Sequence, residues 1–98
     1  MTITSNMNGK ALEIALEGRL DTMTAPELEA ELQKSLGSAE SLTLDFSKLS
    51  YISSAGLRVL LSAHKTMSPK GGMKVTHVNE IVREVFDVTG FSDILTIE

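Results

Sequence analysis

The chain contains no cysteine. That removes a disulfide framework, a thiolate metal site and a thiol nucleophile together, and it fits a reducing compartment. Runs of lysine and arginine are also missing: nine basic residues stand against thirteen acidic ones, for a formal net charge of −4. Without a basic patch there is no counterion release to drive nucleic-acid binding, so neither DNA nor RNA is an expected partner. No apolar run approaches the roughly 20 residues needed to cross a bilayer. Met1-Thr2-Ile3-Thr4-Ser5-Asn6 has neither the basic nor the apolar region of a signal peptide. The expectation is a cytoplasmic protein with no membrane insertion. The two histidines, His64 and His77, lack closely spaced carboxylates, so no metal site is expected. Gly71-Gly72 lacks the Lys-Ser/Thr of a phosphate-binding loop and reads as a turn, and no cofactor is expected.

What is present suits one globular domain, residues 1–98, with a single modest core. Residues 2–7 read as a weak strand, and Asn8-Gly9 is a two-residue hairpin signal. Ala11–Glu17 returns as a half-buried strand with Leu12, Ile14 and Leu16 on one face. Thr24-Ala25-Pro26-Glu27 reads as a capping box opening a helix that buries Leu28, Leu32 and Leu36 and stops at Gly37. A strand over 41–46 follows, then a polar connection, Ser47-Lys48-Leu49-Ser50. After Tyr51-Ile52, a helix over about 54–67 carries Leu57, Leu60, Leu61 and His64 on one stripe, with Arg58, Ser62 and Lys65 opposite. A strand over 73–78 leads to Asn79, which caps a helix whose stripe is Ile81, Val82, Val85 and Phe86. Gly90 ends it, Phe91 folds back on the core, and 94–97 form a short last strand. The order is β-β-α-β-α-β-α-β. Single helices between strands favour right-handed parallel crossovers, so an α/β fold with a small mixed sheet is expected.

Ser53 and Ser54 sit where the loop becomes the central helix. By spacing alone they are helix caps, serine being a preferred N-cap residue. The same place would also welcome a phosphate, because helix N-termini carry unpaired N–H groups and partial positive charge. A serine hydrolase is the rival chemistry, with Gly56 two residues after Ser54. Ile52, however, occupies the place of the first glycine in the nucleophile elbow. His64 lies roughly 15 Å along the same helix, out of reach of Ser54, and His77 has no sequence support as a partner. No catalytic residue is assigned, and the chain is not expected to be an enzyme.

Leu44-Asp45-Phe46-Ser47, followed by Tyr51-Ile52-Ser53-Ser54-Ala55-Gly56-Leu57, resembles the signature of STAS domains. More narrowly, it is similar to that of the bacterial anti-sigma-factor antagonists. There a strand ends in Asp-x-Ser, and a short loop leads to Asp-Ser-Ser-Gly-Leu at the start of a helix. The resemblance covers nearly the whole chain and implies a small mixed sheet with helices mainly on one face. It implies that Ser54 is the phosphoacceptor. The family's preceding acid is Ser53 here, which makes Ser53 the alternative, and Ala55 replaces its second serine. Gly18-Arg19-Leu20-Asp21 matches the family's Gly-x-Leu-Asp, which places Asp21 beside the phosphoacceptor. Asp21, Ser53, Ser54, Ala55, Gly56 and Arg58 would then form the partner-binding surface. The implied partner is an anti-sigma factor that is also a serine kinase and supplies ATP and magnesium, with a phosphatase to reset the switch. The alternative is a STAS scaffold without phosphorylation, or a subunit of a lipid-transport or stress assembly.

Overall fold

Leu12, Ile14 and Leu16 alternate with Glu13, Ala15 and Glu17, and the same two-residue period in Leu42, Leu44 and Phe46 builds a sheet with one buried face. The computed structural model describes residues 1–98. Its elements are β1 (Thr2–Asn8), β2 (Ala11–Leu20), α1 (Ala25–Ser35), β3 (Ser41–Ile52), α2 (Ser54–Met67), β4 (Met73–Thr76), α3 (Glu80–Thr89) and β5 (Thr96–Ile97). Short 3-10 turns follow α1 at Leu36–Ser38 and α3 at Phe91–Asp93. The five strands lie in the order β1-β2-β3-β4-β5, with β1 antiparallel to β2 and the remaining pairs parallel. The expected element order and mixed sheet are both present. Buried strand residues fall on one face only, where the apolar stripes of the helices complete a core of 24 buried residues. No helix is long and apolar enough to cross a membrane.

Several local readings change. The hairpin loop is Gly9-Lys10, because Asn8 pairs with Ala11; Gly9 takes the positive φ of 66° that such a turn needs at its first central position. The capping box does not form: Thr24 is the N-cap, but its hydroxyl makes no cap bond and is engaged with Arg19 and Asp21 instead. Gly37 does not stop α1, which ends at Ser35 and tightens into the 3-10 turn. Ile81 is 62% exposed, while Val82 and Phe86 carry the buried side of α3. Asn79 caps α3 as expected, its Oδ1 accepting from the Val82 N–H at 2.8 Å, and Gly90 ends it in the left-handed conformation.

The largest change is in β3. Ser47–Ser50 is no connection; the strand runs on to Ile52. From Ala15 to Glu17, β2 advances two residues while β3 advances three, Asp45 to Lys48. A second extra β3 residue enters between Leu49 and Tyr51, opposite Gly18 and Arg19. These bulges shift the alternation, so Leu49 and Ile52 are buried with Phe46 although each step is three residues. Ser50 steadies the second irregularity, its hydroxyl donating to the Gly18 carbonyl at 2.9 Å.

Candidate functional site

Parallel pairing brings the carboxyl ends of β2 and β3 to the same edge, the side of an α/β sheet where binding sites gather. Leu20 pairs with Ile52, and the Ser53 N–H donates to the Leu20 carbonyl at 2.9 Å. Asp21 and Ser54 are each one residue beyond that bond, at the same edge of the sheet.

The two serines part company here. Ser53 is the N-cap of α2 in extended conformation, yet its side chain makes no cap bond. Its Oγ is buried and has no hydrogen-bond partner. Ser54, the first helical residue, is exposed. Of the two, Ser54 is the residue at the surface. No acid lies in the first turn of α2, so its N-terminal charge is not neutralised from within that turn.

Gly56 is buried, beneath the surface that the sequence assigned it to. A Cβ there would sit 2.7 Å from Leu20 Cγ and 2.9 Å from Ile52 Cγ1. Its visible role is to let α2 approach the ends of β2 and β3 closely enough to set Ser54 at the rim. Ala55 is partly buried and Arg58 exposed. Both line a shallow groove of about 290 Å³ between α1 and α2, together with Thr22, Pro26 and Glu29.

The Asp21 carboxylate is held inward by its own loop. Oδ1 accepts from the N–H groups of Met23 (3.0 Å) and Thr24 (3.2 Å), with the Thr24 hydroxyl 3.2 Å away, and Oδ2 lies 3.6 Å from Arg19 Nε. Burial pulls this carboxyl upward; the Thr24 and Met23 N–H groups, the Thr24 hydroxyl and the Arg19 charge outweigh it and hold the group below the ordinary aspartate range. Arg19 also stacks over Tyr51 at 4.3 Å. Asp21 therefore shapes the turn more than it projects charge. The turn presents Met23, 83% exposed and outside every sequence motif. Met23 carried no periodic signal that could have singled it out.

The histidines stay apart from Ser54. His64 is partly buried along α2, its Nδ1 without a partner. His77 lies on the open face of the sheet, 3.3 Å from Asp45 Oδ1. No cluster of three or more metal-ligating side chains exists.

A family model described as "Mlab, STAS domain" matches residues 3–96. The chain belongs to the STAS family. Within it, the chain is 36% identical to BtrV of Bordetella bronchiseptica, a candidate anti-sigma factor antagonist, over 99% of this chain and 85% of BtrV. An anti-sigma factor antagonist from Mycobacterium paratuberculosis shares the STAS fold with a TM-score of 0.88 at 22% identity, covering 98% of this chain and 83% of the other. The antagonist SpoIIAA, solved unphosphorylated and from Bacillus in phosphorylated form, aligns with TM-scores of 0.78 and 0.76 at 19% identity. These alignments cover 99% of this chain and 87% and 91% of the respective SpoIIAA chains. The STAS sheet with helices on one face is thus the architecture expected from the sequence.

Proposed function

We propose that this STAS domain, residues 1–98, is an anti-sigma-factor antagonist that binds its partner unmodified and is released by phosphorylation of Ser54. The reading is that of a binding module without catalysis of its own. The observation that carries it is the contrast at the head of α2: Ser54 is exposed, while Ser53 Oγ is buried and unpartnered. The partner is an anti-sigma factor with serine kinase activity that brings ATP and magnesium. The Ser54 oxygen attacks the γ-phosphorus and a new O–P bond forms. The bond to the β-phosphate oxygen breaks, ADP leaves, and the hydroxyl proton passes to the kinase's base. A phosphatase reverses the state by hydrolysis.

The modification adds about −1.5 to −2 charges at a helix end that tolerates them, so the fold should barely respond. The effect falls on the interface, where like charge or an unpaired phosphate weakens binding. A loss of about 2.8 kcal/mol is a hundredfold in affinity. SpoIIAA, known in both phosphorylation states, supports the reading.

Incubation with the cognate anti-sigma kinase and ATP should add one phosphate by intact mass, and Ser54→Ala should abolish the gain. Ser54→Asp should bind the kinase about a hundredfold more weakly with unchanged thermal stability. An unmodified mass together with full binding by Ser54→Asp would sink the switch. It would favour the second reading, a STAS scaffold without phosphorylation or a subunit of a larger assembly, consistent with a STAS-family match that carries no phosphoacceptor assignment of its own.

A further inference from the structure

Arg58 is an exposed cation that the fold leaves unpaired. It takes part in none of the ion pairs of the chain, whereas Arg19, the other cation of the site, is held by Asp21 and Tyr51. Ser54 and Arg58 stand four residues apart on α2, both exposed. That spacing stacks them on one helix face with Cβ atoms about 5–6 Å apart. The carboxylates facing this region are Glu29, across the groove on α1, and Asp21, whose oxygens are already engaged.

We propose that Arg58 is the intramolecular receiver of a phosphate on Ser54. In the unmodified chain its guanidinium is free to meet an acidic group on the partner. Once Ser54 is phosphorylated, the side chain turns back along one helical turn and pairs with the phosphate oxygens, a geometry suited to its planar fork. One modification then does two things: it adds negative charge and withdraws the free cation from the docking surface. This rests on Ser54 being the phosphoacceptor, and it concerns how the modification is read. Arg58 acts as a positioning residue for the phosphate.

The test places phosphoserine at position 54 of the full chain by genetic encoding, with Arg58 intact or as Arg58→Gln. The second ionisation of the phosphate is followed by phosphorus NMR. At low salt the midpoint should lie about half a unit lower with Arg58 than with Arg58→Gln. The gap should collapse in about 1 M salt, and Arg58→Lys should fall between the two. The helix terminus contributes equally to both variants, so the difference isolates the guanidinium. Coincident midpoints at low salt would overturn the proposal. Because no kinase is involved, that failure is separate from failure of the phospho-switch itself, which shows as an unmodified mass after incubation with kinase and ATP.

Discussion

Gly56 packs against Leu20 so closely that a β-carbon on Gly56 would stand 2.7 Å from Leu20 Cγ. The contact joins the first turn of α2 to the end of β2, and it decides where Ser54 sits. Gly56→Ala gains about 1 kcal/mol of helix propensity but must displace two buried side chains, which costs about 1–3 kcal/mol. The net expectation is a loss of up to about 2 kcal/mol in urea unfolding, with partner binding reduced beyond what that loss explains. A stabilised Gly56→Ala protein with full binding would show that the helix does not need this approach.

Ser53 occupies the N-cap of α2 without capping it, and its oxygen is buried without a partner. Replacing a working serine cap by alanine costs about 0.5–2 kcal/mol. Here the hydroxyl is a desolvated group with nothing to offset it, so Ser53→Ala should be neutral or stabilising by up to about 1 kcal/mol. Thermal unfolding is the measurement. A drop of about 1 kcal/mol or more would mean that the hydroxyl caps the helix in solution.

Asn79 serves two elements. Its Oδ1 accepts from the Val82 N–H, and its Nδ2 donates to the Leu49 carbonyl, each at 2.8 Å. Asn79→Ala removes the cap of α3 and the tie to the bulged half of β3, for about 1–2 kcal/mol, or roughly 4–8 °C per kcal/mol in a domain of this size. Asn79→Asp keeps the acceptor and loses the donor. Its unfolding midpoint should fall between those of wild type and alanine; equal losses in the two variants would exclude the cap as the main contribution.

Asp21 and Asp45 both ionise below the ordinary aspartate range. At Asp45 the Ser47 N–H is the leading cause, opposed by burial and aided by the Ser47 hydroxyl and His77. A carboxyl with a depressed folded-state pKa stabilises fully above its unfolded value, about 3.9, and loses that contribution as pH falls through the folded value. The stability gap between wild type and Asp21→Asn, or Asp45→Asn, should be complete near neutral pH and should close on acidification below about pH 4. Urea titrations across that range test it. A gap that persists unchanged into acid would remove the charge from the explanation.

Much of this protein was legible in periodicity. Leu12, Ile14 and Leu16 announced β2, Asn79 and Gly90 bracketed α3, and α2 spans Ser54–Met67, the range its pattern predicted. Periodicity and structure part most clearly in β3 and at Thr24. Leu49 and Ile52 each lie three residues after the preceding buried position, a spacing that breaks the two-residue period of a strand, because bulges opposite β2 reset the pleat. Thr24 has the composition of a cap, but its hydroxyl donates to the Arg19 carbonyl at 2.7 Å, because the turn after β2 closes back on the strand end.

Composition excluded thiol chemistry and long apolar membrane spans, apolar spacing set the order of strands and helices, and the Ser53–Leu57 string marked the place of interest. These follow from residue type and local geometry, which a linear chain carries within itself. Tertiary structure alone decided which serine faces solvent, that Gly56 is a packing requirement, and that the Asp21 carboxylate is spent on its own turn. Each depends on what β2 brings against α2 or on how a loop closes on itself, and those neighbours exist only once the parallel sheet has formed.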